Sequence, residues 1–91
     1  MYQRRVTKVI DGDTFDVDRN IDDISRIRLA DIDTPEKGSS GAVNTTTALK
    51  ALIENKNVDT DKVGIDDYGR IVANVYQGGT NINNYMKNQG W

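Results

Sequence analysis

Val6-Thr7-Lys8-Val9-Ile10-Asp11-Gly12-Asp13-Thr14-Phe15-Asp16-Val17 is the stretch from which the rest of the 91-residue chain is read. Val6 to Ile10 is rich in β-branched residues, whose stiff side chains suit a pleated surface. Asp11-Gly12 then stops the strand, since that pair readily takes the positive φ of a tight hairpin turn. Phe15 and Val17 alternate with Thr14, Asp16 and Asp18, which predicts a second strand with one wet face.

Moving outward, Asn20 to Asp23 reads as a polar turn, and Ile27 and Leu29 alternate with Arg26 and Arg28 in a third strand. Asp33-Thr34-Pro35 is expected to end it, because proline cannot donate to a ladder. Gly38-Ser39-Ser40-Gly41 is a loop, and the spacing of Leu49, Leu52 and Ile53 predicts one helix from near Asn44 to Glu54. Val58 to Val63 and Ile71 to Tyr76 are two further strands, joined by the turn-rich segment Gly64 to Gly69. Thr80 or Asn81 can cap a last short helix in which Ile82, Tyr85 and Met86 share a face and Gly90 is the stop.

Three strands, a helix, two strands and a helix do not alternate as a doubly wound sheet requires. The order predicts an α+β fold, a five-stranded OB-fold Greek-key barrel with a helix after the third strand and a short C-terminal helix. Of 20 Val, Ile and Leu residues 17 are β-branched, which favours sheet over helix. Ninety-one residues leave no room for two independent cores, so residues 1–91 are expected to form a single domain.

Composition narrows the chemistry. There is no Cys and no His, which excludes disulfides, thiol nucleophiles, imidazole bases and the usual zinc sites. Any metal must therefore sit on oxygen. Of 14 acidic residues, 12 are Asp and only Glu36 and Glu54 are Glu, which suits turns and caps. A pI near 4.9 argues against holding a polyanion by bulk charge, so such a partner would need local arginines or a bridging cation. The longest uncharged run, Ile71 to Met86, is too short and polar to span a bilayer, and Met1-Tyr2-Gln3-Arg4-Arg5 is not followed by the apolar stretch of a signal peptide. No membrane association is expected.

The densest reactive cluster is Asp11-Gly12-Asp13-Thr14 together with Arg28 to Glu36. Paired carboxylates plus a Thr make an all-oxygen pocket that suits a hard cation such as Ca²⁺ or Mg²⁺. Asp-rich turns also occur without any metal, and spacing leaves both readings open. An EF-hand starting at Asp16 fails, because Ile21 stands where the turn glycine belongs and Ile27 where the closing Glu belongs. Gly38-Ser39-Ser40-Gly41 lacks both the GxGxxG spacing and the Walker lysine. Arg28 and Arg70 can grip phosphate oxygens in a fixed fork, although each type is also common in surface ion pairs. Arg28 and Asp33 are five residues apart, so an ideal strand would point them to opposite faces. A bulge or bend between Leu29 and Ile32 is predicted, to bring both to one site.

Val9-Ile10-Asp11-Gly12-Asp13-Thr14, Ile27-Arg28-Leu29, Asp33-Thr34-Pro35-Glu36 and Asp67-Tyr68-Gly69-Arg70 occur in an order that resembles the staphylococcal nuclease (thermonuclease) family. The likeness runs from about Val6 to Gly90. It implies an OB-type barrel and a Ca²⁺-dependent nuclease that hydrolyses phosphodiester bonds of DNA and RNA and leaves 3′-phosphate ends. By motif position, Asp13 and Asp33 are implied as carboxylate metal ligands and Thr34 as a backbone-carbonyl ligand. Glu36 would position or deprotonate the attacking water, and Arg28 and Arg70 would bind the phosphate and stabilise transition-state charge. Tyr68 is left to contact the nucleotide. The alternative class is a non-catalytic OB-fold module that binds nucleic acid or protein. A monomer is expected, and the resemblance is compatible with secretion.

Three departures from the family pattern bear on function. The segment between Glu36 and the helix is shorter and richer in Gly and Ser, with Ala42-Val43-Asn44 where a Glu-Ala pair is typical. Asp67 stands where a lysine is often found before Tyr-Gly-Arg. The chain stops at Trp91, ahead of the family's tyrosine-bearing segment and final helix, so weaker activity is expected.

Overall fold

The computed structural model describes residues 1–32 and 41–89. Its strands are β1 (Tyr2–Asp11), β2 (Thr14–Ile21), β3 (Ile24–Leu29), β4 (Asn57–Ile65), β5 (Ile71–Gln77) and the two-residue β6 (Thr80–Asn81), with helices α1 (Ala42–Ile53) and α2 (Ile82–Asn88). The sheet order is β3-β2-β1-β4-β5-β6, and a parallel pairing of β3 with β5 closes the five long strands into a barrel. This is the α+β OB-type architecture expected from the order of elements.

The first hairpin differs in detail from its reading. Asp11 pairs with Thr14, so the loop residues are Gly12 and Asp13 rather than Asp11 and Gly12. The turn with two left-handed residues is instead Asp22 (φ 49°) and Asp23 (φ 66°), between the paired Ile21 and Ile24. That is the backbone a type I′ hairpin needs, and aspartate tolerates it better than most residues. The polar turn is thus two residues long, and Asn20 and Ile21 belong to β2. An ion pair from Lys62 on β4 to Asp22 ties this turn to the far side of the barrel.

Two register shifts bend β1. Val6 pairs with Val17 and Lys8 with Asp16, and Val9 pairs with Phe15 and Asp11 with Thr14, so β1 carries an extra residue at each step. A bulge breaks strict alternation, which is how Val6 and Val9, three apart, both reach the core. Val9 N–H, displaced from regular pairing nearby, donates to Glu54 Oε2 at 3.0 Å. The end of α1 is thereby fastened to the bulged strand. Asn55, at φ 63°, lets the chain reverse there and donate from its N–H to Val6 O at 2.9 Å.

Phe15, Ile27, Leu29, Ile71 and Val75 fill the barrel, and Leu49 and Ile53 of α1 with Ile82 and Met86 of α2 close its ends. Burying each such side chain contributes about 1.5–3 kcal/mol. α1 begins at Ala42, two residues earlier than expected, and β4 runs past Val63 to Ile65. α2 is capped by Asn81, whose side chain accepts from Asn84 N–H at 3.0 Å. Its buried residues are Ile82, Asn83 and Met86, while Tyr85, expected on that face, is 41% exposed. Gly90 lies outside the described residues.

Asn83 is inside for a reason. Its Nδ2 donates to Ala30 O at 2.9 Å and Ala73 O at 3.1 Å, and its Oδ1 accepts from Val75 N–H at 2.8 Å. The side chain supplies backbone partners where β3 leaves β5, which an apolar residue could not do.

Candidate active site

β3 stops at Leu29, before the Asp33-Thr34-Pro35 segment expected to end it. Ala30 is buried, Asp31 takes φ 60°, and Ile32 turns back into the core. The predicted bend between Leu29 and Ile32 is therefore present. It wraps carbonyl groups around Arg28, whose Nη1 donates to Leu29 O at 3.2 Å and Nη2 to Ile32 O at 3.0 Å. Asp33, Thr34 and Glu36 lie outside the described residues.

The same Arg28 Nη2 lies 3.4 Å from Asp13 Oδ2. Asp13, only 8% exposed, is held by three bonds. Its N–H donates to Asp11 Oδ1 at 3.1 Å, Thr14 Oγ1 donates to its Oδ1 at 2.9 Å, and its carbonyl accepts from Leu29 N–H at 2.8 Å. The β1–β2 loop and the end of β3 are therefore one unit. Burial, followed by the hydrogen bond and charge of Asp11, pushes the Asp13 carboxyl above its ordinary 3.8, while Thr14 and Arg28 pull the other way. The carboxylate oxygens of Asp11 and Asp13 and the hydroxyl of Thr14 are hard donors of the kind that Ca²⁺ or Mg²⁺ takes. Among the described residues no three acidic side chains converge to hold a metal unaided, so Asp13 is one donor of several that a cation would need.

The second half of the site comes from the β4–β5 connection. Asp66 Oδ1 accepts from the N–H groups of Tyr68 (3.0 Å) and Arg70 (2.9 Å), and its Oδ2 accepts from Arg70 Nε at 2.7 Å. Burial raises the Asp66 carboxyl, but the bonds from Arg70 and Tyr68 outweigh it and hold the group below 3.8. Gly69 at φ 77° allows the tight reversal. Arg70 lies over the Tyr68 ring, 5.3 Å from its centre, and Tyr68 is 84% exposed. A cation and a free aromatic face are thus presented together.

Ile10, Asp11, Thr14, Arg26, Tyr68 and Arg70 line a cleft of about 500 Å³. Tyr68 and Arg70 thus line the cleft directly, whereas Asp13 and Arg28, in contact with each other, are represented there by their chain neighbours Thr14 and Arg26. Two contributors were missed in the sequence reading. Asp66 orients Arg70, and the Asp-x-Tyr-Gly-Arg spacing of an Asx turn could have revealed it. Arg26, which forms a forked pair with Asp16 at 2.9 and 3.2 Å, also borders the cleft, and its i, i+2 relation to Arg28 was the available signal.

Fold and site together define a small OB-type barrel with a mixed carboxylate and guanidinium cleft. A model of the family described as Staphylococcal nuclease homologue matches residues 26–91, and the chain belongs to that family. It is 39% identical over 87 residues to an Escherichia coli protein named as an uncharacterized endonuclease, covering 94% of this chain and 56% of the relative. It is 37% identical over 98 residues to a Shigella flexneri protein named micrococcal nuclease, covering 98% and 56%. A Haemophilus influenzae protein, also named as an uncharacterized endonuclease, is 38% identical over 94% of this chain and 48% of its own length. The chain spans about half the length of these relatives. Among the described residues no helix is long and apolar enough to cross a membrane.

Proposed function

We propose that this chain carries the catalytic barrel of a metal-dependent nuclease that hydrolyses phosphodiester bonds in DNA and RNA, with Ca²⁺ as the cation and 3′-phosphate ends as products. The observation that carries the reading is a cleft with Tyr68 and Arg70 on one side and Asp11, Thr14 and Arg26 on the other, the latter being chain neighbours of the Asp13–Arg28 pair. A phosphodiester is anionic and planar-fork donors match its oxygens, so two arginines with different anchors can hold it and stabilise the charge that grows in the transition state.

Asp13, with Asp33 and the Thr34 carbonyl, would hold the cation, which when bound offsets repulsion between phosphate and nucleophile. Glu36 orients the attacking water and takes its proton. Arg28 is anchored on backbone carbonyls and Arg70 on Asp66, so neither needs to reorganise when substrate arrives. Tyr68 offers its exposed ring to a base. The relatives' names, endonuclease and micrococcal nuclease, support the same reading.

The test is cleavage of labelled DNA and RNA with Ca²⁺, with a chelator, and with Glu36→Gln and Arg70→Ala. Cutting that needs the cation and falls about 10²-fold or more in each variant is expected. Binding without cutting would instead indicate a non-catalytic OB module, and variants that cut as well as wild type would remove this site from consideration.

A further inference from the structure

An acidic chain that acts on a polyanion needs local positive charge, and three arginines gather at the end of the β1–β2 ribbon opposite the cleft. Arg4 Nε donates to Arg19 O at 3.1 Å, its Nη2 to Asn20 O at 3.2 Å, and its Nη1 to Gln3 O at 2.8 Å. Arg19 Nη2 donates to the same Gln3 O at 3.1 Å. Two guanidinium groups therefore converge on one carbonyl oxygen, whose partial charge does not neutralise them.

Arg5 stands beside them, exposed, and its guanidinium makes no hydrogen bond or ion pair among the described residues. The acid in this group, Asp18, has Oδ1 occupied by Arg5 N–H at 3.1 Å. Gln3, Arg4, Arg5, Asp18, Arg19 and Asn57 line a hollow of about 80 Å³. That is the space of roughly two to three waters, enough for one phosphate group. Three guanidinium groups against the single carboxylate of Asp18 leave this small polar hollow net positive, which is the chemistry of an oxyanion site.

We propose that this hollow is a second phosphate site, which takes a backbone phosphate of the same nucleic acid whose scissile bond lies in the cleft. The inference rests on the nuclease reading above. Arg4 and Asp11 are seven residues apart on β1, which at strand rise is about 20 Å. That separation equals about six steps of duplex at 3.4 Å each. The site therefore discriminates by length: a dinucleotide in the cleft cannot reach it, and a dodecamer can.

Binding of a fluorescent dinucleotide and a fluorescent dodecamer, measured with Ca²⁺ in a Glu36→Gln background, separates the possibilities. With Arg5→Gln and Arg19→Gln together, the dodecamer should bind about 5- to 30-fold more weakly, with a salt slope shallower by about one to two, and the dinucleotide should be unaffected. Circular dichroism checks that the exposed substitutions leave the fold intact. An unchanged dodecamer affinity, an equal loss for both probes, or competition by millimolar inorganic phosphate as effective as unlabelled dodecamer would each overturn the proposal. Arg70→Ala should weaken both probes; if it weakens neither while the length effect persists, the cleft reading fails and the second site stands.

Discussion

Arg28 Nη2 and Asp13 Oδ2 approach to 3.4 Å while Arg28 Nη1 and Nη2 donate to the carbonyls of Leu29 and Ile32. The arginine is therefore both the staple of the bend after β3 and the cation beside the buried carboxylate. Arg28→Lys keeps the charge and loses the fork. We expect cleavage to fall about 10²-fold and stability by about 1 kcal/mol, read by turnover and by urea denaturation. Full activity in this variant would separate Arg28 from the chemistry.

Asp66 gives a pH signature. Its folded carboxyl lies below the ordinary 3.8, so it contributes stability that is present above that value and is lost as pH falls through the lower folded value. Asp66→Asn should be less stable than wild type at pH 7, with the gap closing in that acid window. Denaturation midpoints at neutral and acid pH measure this, and a gap that widened on acidification would reverse the assignment.

Asn83→Ala removes three hydrogen bonds and leaves buried backbone groups of Ala30 and Val75 without their side-chain partner. The cost should be about 3 kcal/mol, lowering Tm by roughly 12–24 °C in a chain of this size. Calorimetry that found less than a third of that loss would show the seam to be held by other contacts.

Glu54→Gln retains an acceptor for Val9 N–H and should be nearly neutral, whereas Glu54→Ala should lose about 1–2 kcal/mol. Chemical denaturation of the pair tests whether the bulge needs an acceptor rather than a charge.

Tyr68→Ala should leave the fold intact, since the ring is 84% exposed, and weaken substrate binding by about 1–3 kcal/mol through lost base stacking. A rise in KM without a change in Tm is the expected pattern.

Element order and type were readable because runs such as Phe15–Val17 and Leu49–Ile53 carry clear periods of two and 3.6. The bulges in β1 were not, because Val6 and Val9 at a spacing of three look like an interrupted alternation until Val17 and Phe15 are seen to pair across from them. The left-handed turn was assigned to Asp11-Gly12 since glycine adopts it at least cost, yet the geometry fell to Asp22-Asp23, where the sheet demanded it. Half of the candidate site was legible as motif, and the Arg28 bend followed from an odd spacing. Asp66 and Asn83 were harder to find, because their roles depend on partners brought close only by the closed barrel.

That closure has a temporal consequence. Ile27 to Leu29 meet Ile71 to Ala73 across more than forty intervening residues, and contacts so distant along the chain form late. The cleft draws one wall from each side of this parallel seam. A growing polypeptide on the ribosome, with its first hairpins already made, would thus lack a finished cleft until β5 has docked against β3.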